Sequence, residues 1–397
     1  MLFSDVIGQT TVKQQLLEMV QQNRLSHALL FLGKEGSGNL PLALAFSELV
    51  SLLPLQEKPG GLFEGDSLPF PDSLATIDEW MKQQPAFKKA NELMHPDIHF
   101  SYPVIPKKSG DKPISTDYIR EWRNFISKNP YGNAYDWLQF IGAENRQGNI
   151  TAEECMEIMH KLSLKSFESE YKVLVMWMPE FLGKSGNKLL KLIEEPPENT
   201  VFILVAENED LILPTILSRC QLVKFPHLTA AEVAGGLLLD ETVEPQQALQ
   251  IAAIAEGNFR EAQLLIRSAE NDWIAVLSDW LKVIIRKMAA AQLKWIDEIS
   301  KAGREKQKQL LLYFNHLIEL SIRMKVLGEN INATEKEKDF SQRLNKICSV
   351  SQHQVIIEEI NKAVYQIERN ANPKLLFHAL TIKLYYIIQD KTLILAD

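Results

Sequence analysis

The sequence has few cysteines and no long apolar run. Its three cysteines, Cys155, Cys220 and Cys348, are odd in number and too far apart for a C-x-x-C pair. They therefore support neither a disulfide framework nor a zinc site. No apolar stretch approaches the ~18 residues that a membrane-spanning helix needs. Residues 1–5 show no basic region and no apolar core of a signal peptide, so we expect a cytoplasmic protein without a membrane partner.

The chain also lacks an excess of positive charge, its net charge being -8 at pH 7. Nonspecific affinity for DNA comes from Lys and Arg side chains that neutralise phosphates, so this chain is not expected to grip DNA by itself. Any contact with nucleic acid would be shared with partner proteins. The 397 residues, 46% of them hydrophobic and 24% charged, are typical of a soluble globular protein with two or three domains.

The most informative segment follows an apolar run at residues 28–32. Residues 33–40 read Gly-Lys-Glu-Gly-Ser-Gly-Asn-Leu and fit the glycine frame of the phosphate-binding loop G-x-x-x-x-G-K-[ST]. Asn39 stands where the frame has the lysine that reaches the phosphates, and Leu40 where it has the hydroxyl that holds magnesium. The glycines of the loop are Gly33, Gly36 and Gly38. We expect a nucleotide-binding fold that no longer binds or hydrolyses nucleotide.

The predicted strand at residues 171–176 ends without the acidic residues that would hold magnesium and polarise water in an ATPase. Trp177 and Met178 occupy those two positions. Glu180 is the nearest carboxylate, but it follows Pro179 and is expected beyond the end of the strand. This second loss also predicts a chain without a metal site of its own.

The spacing of apolar residues divides the chain into an α/β part and an all-α part. In residues 1–226, strands that are apolar on both faces alternate with helices, and this alternation predicts a parallel sheet covered on both sides. One of the predicted helices spans residues 185–195. Residues 54–95 are interrupted by Pro and Gly and read as an irregular insertion, and residues 129–149 as a long loop. Beyond residue 226 the apolar spacing is helical. We predict an α/β domain at 1–226, a small helical domain at 227–270 and a helical bundle at 271–397.

Several segments of the first 226 residues resemble one protein family. Glu-Glu-Pro-Pro at 194–197, followed some twenty residues later by Ser-Arg-Cys at 218–220, is the strongest joint signal. The chain resembles the delta-prime subunits of the bacterial DNA polymerase III clamp loader, which are AAA+ proteins. The matching segments are residues 6–9 (Val-Ile-Gly-Gln), 27–33, 95–97 (His-Pro-Asp), 188–200 and 213–220.

The resemblance implies a non-hydrolysing stator in a hetero-oligomeric ring that opens the sliding clamp and places it on primed DNA. ATP and Mg²⁺ would be bound by neighbouring subunits and not by this chain. The implied partners are the gamma/tau motor subunits and the delta subunit, and indirectly the sliding clamp and primer-template DNA. The resemblance also identifies residues 227–270 as the AAA+ lid and residues 271–397 as the collar, or oligomerisation, domain.

The Ser-Arg-Cys segment is the catalytic site that the resemblance implies. In the family its arginine is offered to ATP bound by the neighbouring motor subunit. Arg219, with Ser218 and Cys220 of the motif, is therefore expected to act in trans as an arginine finger. A guanidinium is planar and permanently charged, so it stabilises charge on the γ-phosphate better than an ammonium does. The alternative is that Arg219 only pairs with a surface carboxylate.

Two further features follow from the resemblance. Arg260 lies in a segment, residues 255–262, that resembles the family's second sensor, whose arginine approaches a nucleotide in the same chain. Since no nucleotide is expected, a structural role is favoured for Arg260.

Family members often carry a four-cysteine zinc module after the first helix, but residues 54–95 contain no cysteine, so no zinc is expected. This insertion must then be held by the packing of its apolar side chains or else be partly mobile, and those side chains are Leu62, Phe63, Phe70, Leu74, Ile77 and Trp80.

Two other functions stay open at this point. One is an atypical active P-loop ATPase that uses Lys34, although this residue lies five positions before the expected lysine. Its side chain should therefore start outside the phosphate cradle. The other is a scaffold protein with a relict nucleotide fold. A pure scaffold has no use for a presented arginine, and nucleotide binding to the isolated chain separates a stator from an ATPase.

Overall fold

In a computed structural model, the chain folds into two compact units. The structure describes residues 1–53, 70–108, 110–143, 146–267, 273–327, 333–368 and 371–389. The first unit comprises Met1–Thr242 and Ala255–Ala262, and the second comprises Val243–Ile254 and Gln263–Asp397. The first is α/β and the second all-α, which confirms the predicted fold class. The division into three domains at residues 226 and 270 stays a prediction.

A five-stranded parallel sheet forms the centre of the first unit, in the order β2-β3-β4-β1-β5. Leu30 of β1 is in register with Leu204 of β4 on one side and with Leu222 of β5 on the other. Because all strands are parallel, their carboxyl ends lie along one edge of the sheet. The strands are β1 Ala28–Gly33, β2 Ile98–Ser101, β3 Lys172–Trp177, β4 Thr200–Ala206 and β5 Gln221–Phe225.

Helices cover both faces of this sheet. Side chains alternate between the two faces along each strand, so Leu29 and Phe31 join one apolar core while Ala28 and Leu30 join another. Every residue of the helix that follows β1 is buried, as expected of a helix that is apolar all round. The helices are α1 Thr10–Gln21, α2 Asn39–Ser51, α3 Leu74–Gln83, α4 Phe87–Asn91, α5 Ile119–Lys128, α6 Ala134–Phe140, α7 Ala152–Ser163, α8 Leu190–Glu194, α9 Pro214–Leu217 and α10 Ala230–Leu237. Short 3₁₀ segments lie at Ser115–Tyr118, Pro179–Leu189 and Glu209–Leu211.

Three predictions of local structure need correction. The segment 129–149 is not one long loop, because Asn133 caps the two-turn helix α6, whose Trp137 is fully buried. The helix predicted at 185–195 is instead a 3₁₀ run that breaks at Gly183, followed by the short α8. The edge strand β5 was not predicted, because its burial alternates and lacks the continuous apolar run of the inner strands.

The predicted insertion is more regular than expected where the structure describes it. Residues 54–69, which include Leu62 and Phe63, lie outside the described residues. After them, α3 and α4 form two helices, and Ile77 and Trp80 are buried in the core of the first unit. Phe70 and Leu74 pack against the same core. Apolar packing therefore holds the described part of this segment, as predicted.

The second unit is helical throughout its described residues. The apolar stripes predicted from sequence form its core, in which Phe314, Leu317, Ile356 and Ile360 are fully buried. Trp280 stacks on Trp295 with ring centroids 4.6 Å apart. The helices are α11 Pro245–Ile254, α13 Trp273–Ile285, α14 Ala289–Lys301, α15 Arg304–Leu327, α16 Glu335–Ile347, α17 Val350–Glu368 and α18 Pro373–Gln389, while α12 Phe259–Arg267 contains the boundary between the units. Within the parts of the chain described here, no helix is long and apolar enough to cross a membrane.

Candidate functional site

The loop between β1 and α2 has the strand, turn and helix order that a phosphate-binding loop requires. Gly36 and Gly38 adopt positive φ angles of 71° and 89°, a region that favours glycine. A Cβ on Gly36 would collide with the side-chain oxygen of Asn258 and would lie 2.7 Å from the backbone nitrogen of Phe259. The glycine therefore permits another segment of the unit to lie directly on the loop.

Asn39, at the position of the phosphate-binding lysine, points into the fold. Its Nδ2 donates hydrogen bonds to the backbone oxygen of Gly33 at 3.1 Å and of Ala206 at 3.0 Å. Its Oδ1 accepts a bond from the backbone N–H of Leu40. With only 8% of its surface exposed, the amide joins the ends of β1 and β4 and offers nothing to a ligand above the loop.

A second amide fastens the loop from the amino-terminal side. Gln9 precedes α1, and its Nε2 donates to the backbone oxygen of Ser37 at 2.9 Å and to that of Pro226 at 2.8 Å. Gln9 belongs to the Val-Ile-Gly-Gln segment singled out in the sequence. Its amide thus links that segment to the loop and to the chain after β5.

The carboxylate of Glu35 is held at the loop by three donors from other parts of the first unit. Oε2 accepts from Nδ2 of Asn133 at 2.7 Å, while Oε1 accepts from Nδ2 of Asn258 and from Nη1 of Arg260, both at 3.0 Å. The Glu35 side chain is 20% exposed. An anion of the chain itself therefore occupies the donors that gather at this side of the loop.

Arg260 is only 3% exposed and binds two carboxylates at once. Besides Glu35, it forms a two-pronged pair with Asp136, from Nε at 2.5 Å and from Nη2 at 2.6 Å, the geometry that suits a guanidinium and a carboxylate. These contacts lie within the first unit and support the structural role expected for Arg260. The trio carries one positive and two negative charges.

The end of β3 has an aromatic side chain where an ATPase has an acid. Trp177 is buried, with its ring centroid 5.2 Å from that of Trp122. Glu180 lies beyond the strand, as expected, and its Oε1 accepts from the backbone N–H groups of Glu207 and Asn208 at 2.7 and 3.0 Å. Burial raises the pKa of Glu180 although these N–H donors lower it. The carboxylate connects the segment after β3 to the end of β4.

Arg219 lies between α9 and β5, with its side chain 31% exposed. Nε donates to Oε1 of Glu194 at 2.6 Å, and Nη2 donates to the same oxygen. Nη1 donates to the backbone oxygen of Thr215 at 2.7 Å and to Oγ of Ser218 at 3.2 Å. The isolated chain thus forms the carboxylate pair considered as the alternative, and the Glu-Glu-Pro-Pro segment supplies the partner.

The third residue of the motif, Cys220, is half-buried, whereas Cys155 and Cys348 are buried. Burial raises the pKa of all three thiols to about 11. Each is therefore a neutral thiol at pH 7 and a poor nucleophile. Among the described residues, no group of three or more His, Cys, Asp or Glu side chains is arranged to hold a metal ion.

Lys34, the lysine of the alternative ATPase hypothesis, borders an open groove at the carboxyl ends of β1, β4 and β5. The groove has a volume of about 290 Å³. Its lining also includes Glu207, Glu209, Asp210 and Lys224. The lysine therefore faces a rim that already carries acidic side chains.

Sequence reasoning missed the residues that gather around Glu35. Asn133 and Asp136 lie in the segment predicted as a loop, and Glu35 takes one of the variable positions of the glycine frame. One signal was available. Asn-x-x-Asp at 133–136 has the spacing of a capping box, which marks the first turn of a helix.

Comparison with family models matches one part of this chain. Residues 133–229, about a quarter of the chain, match the model of the family described as DNA polymerase III, delta subunit. DNA polymerase III subunit tau of Bacillus subtilis (strain 168) is 22% identical over 410 residues, which cover 96% of this chain and 61% of that protein. DNA polymerase III subunit delta' of the same organism is 25% identical over 262 residues, which cover 66% and 60%.

Among solved structures, a DNA polymerase III gamma subunit-related protein from Thermotoga maritima aligns with 95% of this chain and 99% of its own, at 16% identity and a TM-score of 0.36. The chain spans about three fifths of the length of the two Bacillus relatives. The sequence relatives include DNA polymerase III subunits tau, delta' and gamma. These sequence matches support the clamp-loader family without separating its members.

Proposed function

We propose that the chain is a non-hydrolysing, delta-prime-like stator of a DNA polymerase III clamp loader, which helps to load the sliding clamp on primed DNA. The observation that carries this proposal is the inward amide of Asn39 at the lysine position of the phosphate loop. A loop without that lysine has lost its main charge for the β and γ phosphates. The buried Trp177 at the end of β3 adds the loss of a magnesium ligand.

The proposed partners follow from the homologues and from the charge of the chain. ATP and Mg²⁺ would be bound by neighbouring gamma/tau motor subunits, and the delta subunit would complete the complex. The sliding clamp and primer-template DNA would be contacted through these partners, because a chain of net charge -8 has little nonspecific affinity for phosphates.

Within this proposal, Arg219 is the arginine finger for ATP bound by a neighbour. Its guanidinium is partly exposed on the first unit and is held in place by the side chain of Glu194 and the backbone of Thr215. A fixed guanidinium loses little conformational freedom when it meets a phosphate. A triphosphate, with its higher charge, would replace Glu194 as the partner of Arg219.

The finger is tested by ATP hydrolysis in the reconstituted complex. Arg219→Ala should leave assembly intact and lower DNA-stimulated hydrolysis at the adjoining site by about 10³-fold or more. Arg219→Lys should also be impaired, since an ammonium lacks the planar fork. Arg120→Ala removes another exposed arginine of the first unit and serves as the matched control. Unchanged hydrolysis in a correctly assembled Arg219→Ala ring would remove Arg219 from the mechanism.

An atypical ATPase related to the tau subunit is the second candidate. It is favoured by the alignment with tau, which covers 96% of the chain, against 66% for delta'. Equilibrium binding of ATP with Mg²⁺ to the isolated chain separates the two functions. The stator proposal expects no binding in the micromolar range, and micromolar affinity would overturn it.

A further inference from the structure

We propose that Glu35 acts as a built-in substitute for a nucleotide phosphate and keeps the segment Ala255–Ala262 closed on the loop without any ligand. This inference rests on the proposed loss of nucleotide binding and explains how the loop is completed in its absence. It differs from the finger proposal, because it concerns the chain's own degenerate site. The carboxylate, and not a bound anion, would be the group around which this side of the first unit closes.

The donors around Glu35 come from separate elements. Asn133 precedes α6, whereas Asn258 and Arg260 lie at the start of α12. Both carboxylate oxygens are used, at donor distances of 2.7 to 3.0 Å. Two amide groups and a guanidinium that converge on one anion resemble the donor set of a phosphate site, in which cationic and N–H groups surround the ligand.

The segment also touches the loop through its backbone. The N–H of Phe259 donates to the carbonyl oxygen of Gly36 at 3.2 Å. The ring of Phe259 packs edge-on against that of Tyr131, with centroids 4.8 Å apart. Tyr131 in turn lies next to Gly38, where an added Cβ would be 3.4 Å from the ring. Residues 255–262 are therefore seated on the loop by direct contact, with the Glu35 cluster at one side.

The carboxylates of this cluster disfavour the binding of a triphosphate at the same place. Glu35 and Asp136 carry two negative charges against the single positive charge of Arg260. A triphosphate would meet these two carboxylates and would have to displace one that is attached to the loop itself. An intramolecular group competes at an effective concentration of about millimolar or higher. The segment Ala255–Ala262 would thus stay on the loop at every nucleotide concentration. A closure that depends on a bound ligand varies with the concentration of that ligand.

Hydrogen exchange of the full chain, followed at residues 255–262, tests the proposal. Glu35→Ala should accelerate exchange there by roughly 10- to 100-fold, the effect expected when hydrogen bonds to a charged group are lost. Inorganic tripolyphosphate should then restore protection, because Asn133 and Asn258 have lost their anion and Arg260 has lost one of its carboxylates. Glu92→Ala, which removes an exposed glutamate of the same unit, is the matched control and should change nothing.

Glu35→Gln provides a second, milder variant. It keeps the side-chain length and one acceptor oxygen but removes the charge, so we expect a smaller acceleration and partial restoration by tripolyphosphate. Unchanged exchange in both variants would overturn the proposal. Accelerated exchange that tripolyphosphate does not reverse would also overturn it, because Glu35 would then not occupy an anion site. Either failure leaves the stator proposal standing, since that depends on nucleotide binding to the unaltered chain.

Discussion

Substitution of Asn39 probes the loop most directly. The side chain is 8% exposed and donates to the backbone oxygens of Gly33 and Ala206. Asn39→Ala removes both donated bonds, each of which contributes about 1 kcal/mol, and also the local bond accepted from Leu40, so we expect the first unit to lose at least about 2 kcal/mol of stability. For a unit of this size, that loss corresponds to a melting temperature lower by roughly 4–8 °C.

Asn39→Lys restores the lysine of a phosphate loop, yet we expect it to be as destabilising as the alanine variant. It loses the same two bonds and must direct an ammonium out of a buried position. We also expect no gain in ATP affinity, because Leu40 and Trp177 still supply no magnesium ligand. We expect the lysine to enter a fold without a matching magnesium site.

Thermal unfolding and titration calorimetry with Mg-ATP measure these two outcomes. Because two units can unfold in separate steps, hydrogen exchange at the ends of β1 and β4 assigns the loss to the first unit. Asn187→Ala is the control, since Asn187 is exposed and donates to the nearby backbone oxygen of Lys184. Its effect should stay within about 0.5 kcal/mol. An Asn39→Lys variant of unchanged stability and micromolar ATP affinity would refute the reasoning.

Three further predictions concern groups away from the loop. Asp97 is 3% exposed and accepts three backbone N–H bonds from residues 167–169 at 2.6 to 2.8 Å, so Asp97→Asn should cost about 2–4 kcal/mol and speed hydrogen exchange at those residues. In the second unit, burial would raise the pKa of Glu337, but the imidazole of His316, 3.7 Å away, and hydrogen bonds from Thr334 outweigh it and lower the pKa to about 2 from the ordinary 4.5. A carboxylate with a depressed pKa stabilises the fold above pH 4.5, and this stability should be lost as the pH falls toward 2. A circular-dichroism titration measures the loss, and Glu337→Gln should remove this pH dependence. Because burial raises the pKa of Cys220 to about 11, iodoacetamide should label it slowly at pH 8 in the native protein, and rapid labelling would contradict this account.

The inner strands were predictable because a parallel sheet covered on both sides needs continuous apolar runs. β1, β3 and β4 have such runs and were placed within one or two residues. β5 has only two buried residues, Val223 and Phe225. An edge strand of that kind has too little apolar signal to be separated from a loop.

The candidate site was predictable only in part. The glycine frame gave the position of Asn39 and the motif gave that of Arg219, since each is a local pattern. The partners of Glu35 lie 98 residues away at Asn133 and 225 residues away at Arg260. No local pattern contains contacts over such distances, so this cluster emerged only from the folded chain. Glu194 lies within the helix predicted at 185–195, and its contact with Arg219, 25 residues away, has no local pattern either.

The inward amide of Asn39 also restricts how this sequence can change through evolution. Every residue that an active loop would require here replaces one that the present fold already uses for its own cohesion. A single substitution toward the lysine of the phosphate-loop frame is therefore expected to lose stability before it gains any affinity for phosphate. Under the proposed stator role, a sequence that acquires nucleotide binding at this loop would need several such changes together.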